Sequence, residues 1–295
     1  MGTVVTIEVV GHGGDASGVP GRVARADAVG RAIAWFQHVE DCCSRFDSRS
    51  EVRQLSDRIG VPVPVSTVTL EAVQFALALA EETDGAFDPT IGIAMVERGF
   101  DRNYRTGERV SVAPADAATY RDVEVDEANA TITLHRPMQL DLGAVAKGLA
   151  IDLAARELRP FPNFLVNAGG DLYASGRNGA GAEWSVGIRH PREEGALLDT
   201  RRVSNAAMCT SGDYERRSAI DQATHHLLDP RTRRSASGAA SVTVIAPLAV
   251  VADGLATAAF VLGPVHGLPL LVRHGVEGLI VTPSLERFTT PGWNT

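Results

Sequence analysis

The run from Ala249 to Leu262 constrains the fold most. It is apolar, reads as a helix, and carries Asp253 and Thr257 four residues apart. On a helix that spacing stacks the two side chains on one face, so a carboxylate and a hydroxyl point into the same space. Two hard oxygens aimed at one point suit Mg²⁺, which takes one or two protein carboxylates, keeps several waters and completes its octahedron with substrate phosphates. Taken alone the pair has a simpler reading, in which Thr257 bonds back to the Asp253 carbonyl and the acid is solvated or locally satisfied. What other segments bring to the same place decides between the two.

The remaining periodicity sets the fold class. Val123–Val125 and Thr131–Leu134 alternate at period two around Asp126–Asn129 and read as a β-hairpin. Further strands are expected over Thr3–Val10, Gln139–Leu142, Phe164–Val166, Trp184–Ile188, Arg202–Ser204, Ser241–Ala246 and Gly278–Thr282. Helical spacing runs from Asp27 to about Phe46, from Leu70 to Glu82 with Thr67 or Thr69 as cap, from Ala144 to Leu158, and from Val265 to His274. Hairpins mixed with separated helices favour an α+β fold, with a mixed or antiparallel sheet core and packed helices, over a regular doubly wound sheet. No internal repeat, low-complexity linker or long charge run divides the chain, so one catalytic domain over residues 1–295 is expected.

Composition removes several function classes. A hydrophobic content of 44% over 295 residues is enough for a substantial core. A formal net charge of -8 argues against a general nucleic-acid binder, which would carry a basic stripe. An anionic ligand would then need local cations, helix N-termini or a metal. Cys42, Cys43 and Cys209 are too few for a disulfide framework and are expected to be filler. No run of about 20 apolar residues is read, so no membrane segment is expected. If residue 1 is the true start, the absence of a signal segment predicts a cytoplasmic protein; a truncated chain would leave an exported form open.

Several clusters have both a plain and a chemical reading. Thr83–Thr90 (TDGAFDPT) is a rigid turn after a helix, in which a C-cap at Gly85 explains the glycine but not Phe87 or Asp88. Asp141–Gly148 (DLGAVAKG) joins a strand to a helix, where free N–H groups favour phosphate, and Asp141 and Lys147 exceed what a connection needs. Asn167–Asp171 (NAGGD) lets backbone approach a ligand or simply turns tightly. Thr210–Tyr214 (TSGDY) adds hydroxyls. His225 and His226 are the best source of a general base, since imidazole titrates near neutrality. G-x-S-x-G, H-E-x-x-H, paired C-x-x-C and G-x-G-x-x-G are all missing, which removes the signatures of serine hydrolases, zincins, zinc ribbons and Rossmann sites.

In order along the chain, the motifs Met1–Thr3, Ser44–Asp47 with Ser50–Glu51, Gly85–Thr90, Asp141–Gly148, Ala168–Asp171, Thr210–Tyr214, His226–Pro230, Ser241–Val244 and Ala252–Thr257 resemble the ApbE-type FAD:protein FMN transferase family over nearly the whole length. The resemblance implies a single ApbE-like domain with FAD as donor substrate, Mg²⁺ on its pyrophosphate, and FMN passed to a Thr or Ser hydroxyl of a flavin-accepting protein domain with release of AMP. By that resemblance Asp253 and Thr257 bind metal through side-chain oxygens and Ala144 through its carbonyl. Met1, Ala86, Phe87, Asp88, Asp141, Lys147 and Leu227 line the FAD site, and His226 is the catalytic base. Hydrolysis of FAD to FMN and AMP, or FAD binding without turnover, are the competing readings. One departure stands out: Arg231–Ser235 (RTRRS) replaces the family's usual Thr-Gly and proline after His-x-x-Asp-Pro. That predicts either a looser turn or two arginines that meet the adenosine phosphate or a partner's acidic surface.

Overall fold

The computed structural model describes residues 2–11, 21–103, 106–112 and 118–294. Met1 lies outside them. In chain order the elements are β1 (Val5–Val9), α1 (Arg22–Cys43), α2 (Glu51–Ser56), β2 (Val63–Pro64), α3 (Thr67–Glu82), α4 (Gly92–Glu97), β3 (Val123–Asp126), β4 (Thr131–Leu134), α5 (Gly143–Glu157) and β5 (Phe164–Ala168). They continue with β6 (Asp171–Ser175), β7 (Trp184–Arg189), β8 (Leu197–Val203), β9 (Ala206–Gly212), β10 (Leu228–Asp229), β11 (Arg234–Ser235), β12 (Ser241–Ala246), α6 (Ala249–Arg273), β13 (Glu277–Val281) and β14 (Arg287–Thr289).

A seven-stranded sheet in the order β1-β5-β6-β9-β12-β13-β14 forms the centre, antiparallel at every pairing. Helices α1, α3, α5 and α6 pack on one face, where Val166, Val242 and Val244 meet Leu255 and Phe260. The β7–β8 ribbon covers the other face through Trp184, Ile188 and Val203 against Leu172, Met208 and Leu279. With both faces covered, β12 is buried at every position. The α+β expectation of an antiparallel sheet with packed helices is what the chain forms.

Helices α5 and α6 set the site, and their contact is close. A Cβ on Gly148 would stand 2.4 Å from the Ala249 carbonyl oxygen, so only glycine lets the two backbones meet there. Leu248, at the N-cap of α6, offers no side-chain cap. Asp152 of α5 serves instead: its two oxygens accept from the Ala249 and Val250 N–H groups at 2.8 and 2.9 Å. Burial pushes this carboxyl up to about 6 despite those two bonds.

The structure corrects several sequence expectations. Helix α1 spans Arg22–Cys43 rather than Asp27–Phe46, because the backbone turns extended at Ser44 and the Ser44 hydroxyl accepts from Phe46 N–H. Ser66, not Thr67 or Thr69, caps α3. Gln139–Leu142 forms no strand; Gln139 makes a single parallel bridge to Ile91. Thr210–Gly212, read only as a source of hydroxyls, is the end of strand β9. The sequence reading contains no α2, α4, β2, β6, β9, β10, β11 or β14, and its strand over Arg202–Ser204 is the end of the longer β8. Cys42, Cys43 and Cys209 are unbridged and buried, core filler rather than surface.

The two helical stretches read over Ala249–Leu262 and Val265–His274 are the two halves of α6, separated at Gly263, whose backbone is not helical (φ 65°). By length and composition this helix could cross a membrane. In the fold it packs against α5, β9, β12 and β13, with Leu255, Phe260, Leu270 and Leu271 buried.

Candidate active site

The first turns of α5 and α6, the β5–β6 turn, the end of β9 and the segment before β10 enclose one cleft of about 890 Å³. That size falls within the range of roughly 300–1,000 Å³ typical of small-molecule and cofactor sites. Ala86, Phe87, Asp88, Asp141, Ala144, Lys147, His226, Leu227, Asp253 and Thr257 all line it, although their motifs are spread over 172 residues of sequence from 86 to 257.

Asp253 is only 4% exposed. It accepts from Lys147 Nζ at 3.1 Å and from Gly148 N–H at 3.0 Å. Burial raises its carboxyl above the usual range, with Lys147 and the Gly148 N–H pulling the other way. Lys147 Nζ also pairs closely with buried Asp171, whose other oxygen takes Thr210 N–H at 2.8 Å. One ammonium is therefore shared by two buried carboxylates. Thr257 does not bond back to Asp253: its hydroxyl lies 3.0 Å from Ser211 Oγ on β9. Asp253 is thus not solvated but locally satisfied, by Lys147 and the Gly148 N–H, so the simpler reading fails for Thr257 and holds for the acid.

The donor set tests the metal expectation. Asp253 and Thr257 on α6 and Ala144 on α5 line one cleft, and the expected ligands from them are a carboxylate, a hydroxyl and a backbone carbonyl. Among the described residues no three His, Cys, Asp or Glu side chains converge as metal ligands. A single carboxylate with neutral oxygens is a poor set for Zn²⁺ but suits a hard ion that arrives with phosphate ligands. The ammonium already held by Asp253 shows that the place accommodates positive charge.

Other predicted residues act through structure. Asp88 is bound to its own turn: Oδ1 accepts from Thr90 N–H and hydroxyl at 2.9 and 2.8 Å, and Oδ2 from Tyr120 N–H at 3.2 Å. It fixes the Ala86–Phe87 wall. Thr83, not Gly85, is the C-cap of α3; Asp84 (φ 46°) and Gly85 (φ 74°) follow it, and the Gly85 N–H closes the turn on the Ala80 carbonyl at 2.9 Å. Asp141 caps Gly143 N–H at 2.8 Å and pairs with Arg45 Nε at 2.7 Å. Gly169 and Gly170, both at positive φ, form the two-residue turn between β5 and β6.

Arg45 is a functional candidate the motif reading left without a role. It is 5% exposed, stacks on Phe46 at 4.1 Å and donates to the Phe100 carbonyl at 2.6 Å. Its buried Nη1 has no partner, although the residue lines the cleft. An orphaned guanidinium nitrogen at a cleft wall fits an anionic ligand. A lone arginine beside Phe46 carried no periodic signal by which to find it. Asp152 did leave one, as an acid inside the apolar run from Leu149 to Ala155.

The two histidines part company. His225 is turned to the core, its Nε2 2.9 Å from the Ala236 carbonyl and its ring edge-on to Phe260. His226 lines the cleft, with its backbone N–H on the Arg216 carbonyl at 3.2 Å. Burial, reinforced by Arg216 and His225, pushes the His226 imidazole down to about 3. It is neutral at pH 7, and a ring pushed this low holds a proton poorly until a nearby anionic ligand favours its charged form.

After His226 the Arg231–Ser235 turn is not loose. Thr232 and Arg233 N–H groups both reach the Asp229 carbonyl, at 3.2 and 2.7 Å, and Arg231 clasps the Asp229 carboxylate. Arg233 takes φ 54°, the conformation a glycine would supply at no steric cost.

The sequence profile of the ApbE family matches residues 1–280. Among curated relatives, FAD:protein FMN transferase of Klebsiella pneumoniae (strain 342) is 29% identical over 98% of this chain and 84% of its own. The enzyme of the same description from Treponema pallidum is 34% identical over 75% of this chain and 67% of its own. Among solved structures, the ApbE protein of Thermotoga maritima superposes with a TM-score of 0.85 at 31% identity, covering 99% of this chain and 95% of that one. Flavin transferase ApbE from Vibrio cholerae gives 0.82 at 26%, covering 100% and 96%. With the profile matched over most of its length and the fold shared end to end, the chain belongs to the ApbE family.

Proposed function

We propose that this protein is a Mg²⁺-dependent FAD:protein FMN transferase that moves FMN from FAD onto a Thr or Ser hydroxyl of an acceptor protein and releases AMP. The observation that carries the reading is the convergence of a neutral imidazole at His226 and an oxygen donor set at Asp253, Thr257 and Ala144 on one cleft. The names of the relatives support FAD as donor and a protein as acceptor.

Bound Mg²⁺ would supply charge neutralisation on the pyrophosphate as AMP leaves. The chain's own residues position and orient. Ala86, Phe87 and Leu227 offer apolar wall to a flavin, and Gly169–Gly170 offers bare backbone. Arg45 Nη1 and the ammonium of Lys147 offer cations to the phosphates. His226 Nδ1 is buried and without a partner, and a neutral ring can take the proton of an incoming hydroxyl as it attacks phosphorus.

Incubation with FAD, Mg²⁺ and a flavin-accepting domain should yield a fluorescent, covalently labelled acceptor and one AMP per label. Absence of labelling by FAD-loaded protein across several acceptors would sink the reading. Fast FMN and AMP release without acceptor would point to hydrolysis instead. His226→Ala should retain FAD binding by calorimetry while transfer slows by roughly 100-fold or more, the usual worth of a general base. Asp253→Ala should lose the Mg²⁺-dependent part of FAD affinity.

A further inference from the structure

The chain has a formal net charge of -8, yet arginines gather on one side of the cleft mouth. Three segments meet there around His226. Arg98 Nε donates to the Arg233 carbonyl at 2.9 Å, Ser218 Oγ donates to the Arg98 carbonyl at 2.6 Å, and Arg216 accepts from His226 N–H. These bonds knit residues 98–102, 216–218 and 230–234 into a continuous rim.

The acids on this rim are already taken. Asp229 holds Arg231, Glu97 holds Arg233, Asp101 faces Arg109, and Glu215 holds Arg189. Asp221 accepts from Ala223 N–H and the Thr224 hydroxyl and keeps its charge, which lies near Arg98 without an ion pair. Among the described residues that leaves Arg98, Arg102, Arg216, Arg217 and Arg234 with no carboxylate partner. Arg102, Arg216 and Arg217 line the cleft, but Arg98 and Arg234 lie outside its lining. A dinucleotide seated in the cleft can be met by the first three. The outer two need a ligand that extends past the mouth.

Resting on the transferase reading, we propose that this arginine rim is the docking face for an acidic segment flanking the target hydroxyl of the acceptor protein. Such a segment would cross Arg234 and Arg98 and deliver its hydroxyl inward past Arg217 to His226. The rest of the acidic surface would repel the acceptor, so the rim fixes orientation as well as encounter rate. Arg216 bears on the inner end of this path: its charge acts on His226 and Asp253, and its carbonyl holds the His226 backbone.

The test measures transfer to a flavin-accepting domain at saturating FAD and Mg²⁺. Proteins compared are the parent, Arg234→Glu, the Arg98→Glu/Arg234→Glu double variant, and Arg22→Glu as a remote control on α1. The acceptor is used with its carboxylates near the target hydroxyl intact and with them changed to amides. The double variant should lose about 10-fold or more in kcat/KM, mainly through KM, and only with the carboxylate acceptor. The parent's kcat/KM should fall as NaCl rises from about 50 to 300 mM. Arg22→Glu should match the parent, and Arg234→Glu should bind FAD as the parent does by fluorescence quenching. Equal kcat/KM for parent and double variant, or an equal loss with both acceptors, would overturn the rim. Weakened FAD binding by Arg234→Glu would also overturn it, assigning these cations to the dinucleotide. A parent that binds FAD but labels no acceptor refutes the transferase reading and the rim together, whereas labelling indifferent to the arginines refutes the rim alone.

Discussion

At the scale of single residues, chemistry here depends on which buried groups keep a partner. His226 is neutral because a charged ring would stand desolvated beside Arg216 and His225. Since kcat/KM reports the free enzyme, its pH profile should show no acid limb centred near 6.5, the ordinary histidine value. A limb there would contradict the buried, neutral assignment. The same shift bears on stability, with a definite sign. Between about 6.5 and about 3 the unfolded histidine binds a proton that the folded one refuses, so stability falls as pH is lowered through that window. Urea unfolding at pH 7 and pH 5 should show the parent losing more stability than His226→Gln. Asp152 and Asp253 are shifted upward and act with the opposite sign in both proteins, so the difference between the two isolates His226.

At the scale of elements, the site depends on how α5 and α6 meet. Asp152 caps α6 from the neighbouring helix, and one turn later that helix presents Asp253. Asp152→Ala leaves two N–H groups at the α6 start unpaired and should cost about 1–2 kcal/mol, the usual worth of an N-cap. It should also weaken Mg²⁺-dependent FAD binding, a readout that loss of stability alone would not move in protein that remains folded. Gly148→Ala drives a methyl into the Ala249 carbonyl and the Val250 Cα at 2.4 and 2.6 Å. Chemical denaturation should report a loss of about 1–3 kcal/mol, typical of overpacking.

For the whole molecule, ligand and fold are linked by mass action. FAD with Mg²⁺ at about 100 times Kd should add about 2.7 kcal/mol to unfolding, visible as a rise in Tm of several degrees. The Mg²⁺ increment should vanish in Asp253→Ala. A rise with FAD that ignores Mg²⁺ in the parent would argue against the metal. The fold class, the hairpin β3–β4, the sheet's last core strands and the helical run of α6 were legible in the sequence because period-two and period-3.6 patterning are local consequences of burying one face. So were the residue types of the site: Asp253 and Thr257 share a helix face at any packing, and glycines mark several of the turns, although Arg233 (φ 54°) takes such a conformation without one. Tertiary structure alone decided the rest. Nothing local says that Asp171 and Asp253 share Lys147, that Asp152 caps a helix 97 residues away, or that His225 faces Phe260 while His226 faces the cleft. Those outcomes depend on which surfaces the antiparallel sheet and the α5–α6 contact exclude from water, and burial is a property of the assembled molecule rather than of any segment.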